Sequence, residues 1–139
     1  MHHAVRFLVV FLVVATCGYA HADMTSAQAY EAVRDGRAKL IDIRTPDEWR
    51  ETGVPAGAAR ADFYRGPDAL VRAVSEIVGG DRNAPIVLIC RTGNRSAQAK
   101  KILEMQGYTR VEHVKEGMAG SGGEPGWLAR GLPVAPCRC

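Results

Sequence analysis

The residues best placed to do chemistry lie around Cys90. The run Pro85-Ile86-Val87-Leu88-Ile89 is continuously apolar and ends on that thiol. A short polar loop, Arg91-Thr92-Gly93-Asn94-Arg95, follows it, and a helical pattern starts at Ser96. A buried strand that stops at a cysteine, turns through a glycine and opens a helix sets backbone N–H groups around the sulfur. Such amides at a helix N-terminus form an anion cradle, and the same field favours thiolate over thiol. Arg91 and Arg95 add two positive charges. A thiolate in an anion-binding bowl suits attack on an anionic substrate at phosphorus, arsenic or sulfur. It needs no neighbouring base as long as the cradle keeps it ionised. The plain alternative for Cys90 is a small hydrophobe buried at a strand end. Strand, loop and helix fall where nucleophile chemistry needs them, which favours the reactive thiol.

The histidine count narrows the chemistry further. Of four histidines, His2, His3 and His21 lie in the opening segment. That segment has a short basic start, the nine-residue apolar run Phe7 to Ala15, and Ala20-His21-Ala22 before Asp23. This is the layout of a secretory signal peptide over residues 1–22, cut after Ala22. The run falls short of the roughly 18 apolar residues that a spanning helix needs. A lipoprotein anchored through Cys17 and a retained membrane anchor are the alternatives. The expected location is the periplasm or the medium, with no stable membrane span after cleavage. His113 is then the one histidine left, so a histidine cluster or histidine-rich metal site is excluded. It is expected as a partly exposed strand residue rather than a base or ligand. Cys90, Cys137 and Cys139 remain, and an odd count in an exported protein flags an unpaired thiol.

The bulk numbers agree with one enzyme-sized domain. The chain has 139 residues, 47% hydrophobic and 24% charged, which excludes collagen-like, disordered and multi-span classes. A formal net charge of +3 is too mild to argue for nucleic acid.

Elements that would position Cys90 can be read along the chain. Thr25-Ser26-Ala27-Gln28 is a capping-box pattern that opens a short helix, and Asp35-Gly36 stops it. Lys39-Leu40-Ile41-Asp42-Ile43 reads as a buried strand. Thr45-Pro46-Asp47-Glu48 starts a second helix, with Thr as cap, Pro in the first turn and acids beside it. Residues 53–57 read as loop, 68–78 as a helix with Leu70, Val74 and Ile77 at core spacing, and 85–90 as a central parallel strand. A helix over 96–106, a strand over 111–114, a glycine-rich loop over 116–126 and one helical turn over 127–131 complete the pattern. The segment from Pro133 on is expected to be extended. Strands alternating with helices predict an α/β domain with a mainly parallel sheet, whose sites form beyond the carboxyl ends of the strands. Two strand ends carry reactive-looking residues, Asp42 and Cys90.

Cys90-Arg91-Thr92-Gly93-Asn94-Arg95-Ser96 resembles the active-site loop of the rhodanese sulfurtransferases. Leu40 to Trp49 is similar to that family's first signature, and Glu116-Gly117-Met118 through Trp127-Leu128 to its C-terminal one. Many members carry Gly-His-Ile-Pro-Gly-Ala where this chain has Thr52-Gly53-Val54-Pro55-Ala56-Gly57-Ala58, so the histidine of that stretch is absent. The resemblance implies a three-layer domain over residues 23–135, with helices on both faces of the sheet, followed by a cysteine-containing tail at 136–139. It also implies a ping-pong reaction. Cys90 takes a sulfane sulfur from a small anionic donor such as thiosulfate, and a thiol or cyanide removes it. By this analogy Arg91, Thr92, Gly93, Asn94 and Arg95 bind the persulfide and the donor, while Asp42, Arg44 and Ser96 brace the loop. No metal or organic cofactor is implied.

Loop length separates the rivals. Cysteine phosphatases place five residues between Cys and Arg, and here four lie between Cys90 and Arg95. In this fold family the smaller bowl goes with sulfur, ahead of phosphate or arsenate. A rival of another class is a rhodanese-like carrier or anion-binding module without turnover, against which the intact Cys90 speaks. A general thiol oxidoreductase is disfavoured by the lack of a Cys-x-x-Cys pair. Asp42 alone reads as a cap or salt bridge, and Trp49 and Trp127 as packing residues. Cys137-Arg138-Cys139 reads as an oxidised or disordered tail; a disulfide across one residue and a role as sulfur acceptor are the other options.

Overall fold

The computed structural model describes residues 23–139. The expected signal peptide, its cut site and Cys17 therefore lie outside the described residues.

Helix α1 (Ser26–Arg34) opens on a capping box in which Thr25 and Gln28 satisfy each other's backbone N–H groups. Strand β1 (Lys39–Asp42) follows. Helix α2 (Pro46–Thr52) has a second capping box, Thr45 with Glu48, and Pro in its first turn. Strands β2 (Val54–Pro55) and β3 (Ala59–Arg60) are two residues each. A 3₁₀ turn (Phe63–Arg65) leads to α3 (Pro67–Ile77), β4 (Ile86–Ile89), α4 (Asn94–Met105), β5 (Val111–His113) and β6 (Val134–Ala135).

The central sheet has the order β3-β1-β4-β5 and is parallel throughout. Side chains alternate between two apolar layers. Ile41, Ile86, Leu88 and Cys90 pack with Leu70 and Val74 of α3 and Ala99 and Leu103 of α4. Leu40, Val87 and Ile89 pack on the other face with Ala29 of α1, Met118 and Trp127. Helices thus cover both faces, as a buried parallel sheet requires. Among the described residues no helix is long and apolar enough to cross a membrane.

Four local expectations change. Residues 53–57 are not all loop, because Val54–Pro55 pairs antiparallel with Val134–Ala135. Strand β3 has no signal in its own two residues and exists because β1 offers it an edge. Helix α4 starts at Asn94 rather than Ser96, because Gly93 turns the chain with φ +92° directly ahead of it. The helical turn expected over 127–131 is a run of turns, with the Arg130 N–H on the Gly126 carbonyl and the Gly131 N–H on the Leu128 carbonyl. The tail is neither loose nor reduced: Cys137 and Cys139 form a disulfide, and Arg50 donates to the Cys139 carbonyl at 3.0 Å.

Candidate active site

Cys90 follows the last residue of β4 and is 1% exposed. It is the free cysteine of the described residues. The Gly93 N–H points at its sulfur, with N···Sγ 3.2 Å. That contact depends on glycine. A Cβ at position 93 would sit 2.1 Å from the Lys115 carbonyl oxygen, and φ +92° is a region L side chains rarely adopt. The loop after β5 clamps the cysteine loop from its own backbone. Met118 N–H donates to the Cys90 carbonyl at 2.9 Å, and Ala119 N–H to the Arg91 carbonyl at 2.8 Å. Gly117 allows this approach, since a Cβ there would lie 2.5 Å from the Arg91 oxygen.

Ser96, in the first turn of α4, is fully buried. Its hydroxyl donates to the Gly93 carbonyl at 3.0 Å and lies 3.5 Å from Cys90 Sγ. It therefore holds the shape of the loop and touches the sulfur as well.

Arg95 is gripped by a partner on another element. Its two terminal nitrogens meet the Glu48 carboxylate at 2.8 and 2.7 Å, and its guanidinium lies over the Tyr64 ring at 5.3 Å. These Arg95 hydrogen bonds, against the opposing effect of burial, push the Glu48 carboxyl down to about 2, and Glu48 in turn raises Arg95. Arg91 and Asn94 are exposed, Thr92 is half-buried, and Gly93 is buried.

Asp42 and Arg44 form a buried ion pair at the end of β1, with Nη2···Oδ2 2.7 Å. Arg44 also donates to Thr52 Oγ1 and the Gly53 carbonyl, each at 2.8 Å. The pair therefore anchors the C-terminal end of α2 to the sheet. Since α2 carries Glu48, and Glu48 grips Arg95, Asp42 and Arg44 brace the cysteine loop through that helix.

Sequence reasoning missed His113 in this setting. It is 6% exposed, not a partly exposed strand residue. β5 places it opposite Leu88, on the face that carries Cys90, and its Nδ1 lies 3.0 Å from Ser96 Oγ. The available signal was the alternation Val111-Glu112-His113, which sets His113 on the same face as a core valine. Glu48 was visible as the third residue of a capping box, but nothing local indicated its grip on Arg95.

A family model described as a rhodanese-like domain matches residues 25–122. The chain belongs to the rhodanese-like family. Among curated relatives, an uncharacterized protein of Rickettsia conorii, RC0915, is 26% identical over 80% of this chain and 94% of its own. A protein of Allochromatium vinosum named sulfurtransferase is 35% identical over 68% of this chain and 76% of its own. Among solved structures, Rv0390 of M. tuberculosis superposes with a TM-score of 0.64 at 31% identity, over 83% of this chain and 97% of its own. The rhodanese-like match takes in the cysteine loop, the Glu48–Arg95 pair and the clamp at Gly117.

Proposed function

We propose that this protein is a sulfurtransferase that carries sulfane sulfur on Cys90, from thiosulfate or a related anionic donor to a thiol or cyanide. The observation that carries this is the buried free thiol at the carboxyl end of β4, with the Gly93 N–H aimed at its sulfur. In the first half-reaction the Cys90 thiolate attacks the outer sulfur of thiosulfate. A Cys–S bond forms, the S–S bond of the donor breaks, and sulfite leaves with the electron pair. In the second half-reaction cyanide attacks the terminal sulfur of the persulfide, thiocyanate leaves, and the thiolate returns. Negative charge stays at the sulfur throughout, and the Gly93 N–H stabilises it. Arg95 is neutralised by Glu48, so the donor's sulfonate falls to the exposed Arg91 and the loop amides. The sequence of residues 1–22 supports export by a cleaved signal peptide.

The deciding experiment is thiocyanate formation from thiosulfate and cyanide by the purified protein, beside Cys90→Ala, with a phosphate ester and arsenate as control substrates. Thiocyanate that disappears in Cys90→Ala is expected. A folded wild-type protein that turns over no sulfur donor overturns the proposal, and phosphate release would redirect it to phosphoryl transfer.

A further inference from the structure

Four polar groups from separate parts of the chain form one line that ends on the Cys90 sulfur. Asp23 Oδ1 lies 3.1 Å from His113 Nε2. His113 Nδ1 lies 3.0 Å from Ser96 Oγ, and Ser96 Oγ lies 3.5 Å from Cys90 Sγ. Backbone pairing sets the far end of the line. The Met24 N–H donates to the His113 carbonyl at 3.0 Å, and this bridge beside β5 puts Asp23 next to the imidazole. Ser96 and His113 are buried, so bulk water does not compete between the imidazole and the sulfur, while Asp23 at the far end keeps 47% of its side chain exposed.

Counting hydrogens shows what the line can hold. A serine hydroxyl has one hydrogen and an ionised carboxylate has none. When Ser96 gives its hydrogen to the Gly93 carbonyl, as its 3.0 Å contact allows, Ser96 Oγ accepts from His113 Nδ1. Asp23 accepts from Nε2. Both ring nitrogens then carry hydrogen, and the ring is an imidazolium. When the ring is neutral, the Ser96 hydroxyl turns to donate to Nδ1 and accepts from the Cys90 thiol.

We infer that His113 is a positioning residue that holds the proton of Cys90, with Ser96 as the relay and Asp23 as the imidazolium's partner. The proton leaves Sγ for Ser96 Oγ as the Ser96 hydrogen moves to His113 Nδ1. One S–H bond breaks, one N–H bond forms, and the net charge is unchanged. The thiolate so formed faces the Gly93 N–H. Other charges near the line are Lys100 on α4, 3.8 Å from Asp23 and 3.4 Å from Glu112, and Arg95, whose charge couples to Cys90. The inference deepens the proposed function and rests on it for the use of the thiolate, but the thiolate itself can be observed without turnover.

The test follows the ultraviolet absorbance of the Cys90 thiolate against pH, taking in each background the difference from Cys90→Ala. His113→Asn keeps a donor near Ser96 but holds no proton. It is expected to move thiolate formation to higher pH, leaving about tenfold less thiolate below the midpoint, since one pH unit corresponds to a factor of ten. Asp23→Asn should move it in the same direction by less. A folded His113→Asn protein with the wild-type profile overturns the inference. The wild-type protein supplies a second readout that is independent of any variant's folding. Nitrogen NMR of His113 at neutral pH should give the imidazolium signature while Cys90 is thiolate, and a neutral ring there overturns the inference. Failure of thiocyanate formation with an intact titration shift would instead count against sulfur transfer alone.

Discussion

Glu48, in the first turn of α2, holds Arg95 of the cysteine loop through two hydrogen bonds of 2.7 and 2.8 Å across 47 residues of sequence. The same carboxylate accepts the Thr45 N–H at 3.0 Å, so one side chain both caps its own helix and fixes the rim of the site.

This pair makes stability depend on acid. The Glu48 carboxyl is lowered from its ordinary 4.5 to about 2 in the folded protein, first by Arg95. A depressed carboxyl stabilises the fold fully above its ordinary value and loses that contribution as pH falls from about 4.5 toward 2. Solvent screening of this partly exposed pair keeps the size to about 1 kcal/mol, well below the full value of the shift. Urea unfolding of Glu48→Gln and wild type should differ at neutral pH, and the difference should close toward the acid end of that window. A gap that stays constant there would rule out the titration of Glu48 as its source.

Freeing Arg95 should also be visible in turnover. In Glu48→Gln the guanidinium loses its charged partner and becomes available to the donor, so KM for thiosulfate is expected to fall or hold, while Arg91→Ala raises it several-fold. Steady-state kinetics of the two variants check this. A rise in KM for Glu48→Gln without a change for Arg91→Ala would place donor binding elsewhere.

Gly93→Ala should be severe. The added methyl meets the Lys115 carbonyl oxygen at 2.1 Å and is strained at φ +92°. Destabilisation above about 2 kcal/mol is expected, together with loss of sulfur transfer, because the N–H that faces Cys90 moves with the backbone. Denaturant unfolding and the thiocyanate assay measure the two effects separately.

Asp42→Ala leaves Arg44 charged and buried without its carboxylate, at side-chain exposures of 2% for Arg44 and 0% for Asp42 in the native pair. The expected cost is about 3–5 kcal/mol. Hydrogen exchange should then rise first in α2, which Arg44 ties down at Thr52 and Gly53. Even protection across α2 in the variant would show that the helix is held by other contacts.

The tail disulfide lies by the edge of β3, where Cys137 receives Arg60 at 2.7 Å. Replacing both Cys137 and Cys139 by Ser is expected to leave thiocyanate formation unchanged and to lower the melting temperature slightly. Intact mass before and after reduction checks the pairing by its gain of two hydrogens.

Much of this architecture was legible because its causes are local. A capping threonine needs only the residue three positions on, a left-handed turn needs only a glycine, and a fully apolar run needs only to be covered. Thr25, Thr45, Gly93 and Ile86–Ile89 each carry their own reason, and so does the thiol that ends the run. By itself the sequence determined the α/β alternation, the strand that presents Cys90 and the four-residue spacing between Cys90 and Arg95. Its motifs also carried the family resemblance.

The tertiary structure alone decided which groups face one another. β2 and β6 are too short to announce themselves, and each exists because a partner about 80 residues away satisfies its backbone groups. Arg95 looked like a free charge beside Cys90 until α2 swung Glu48 against it. His113 read as partly exposed until β5 paired beside β4 and α4 closed over the face that His113 shares with Cys90. Those outcomes depend on register and layer packing between distant segments, where the energy of a contact is fixed by geometry that no single stretch of residues contains.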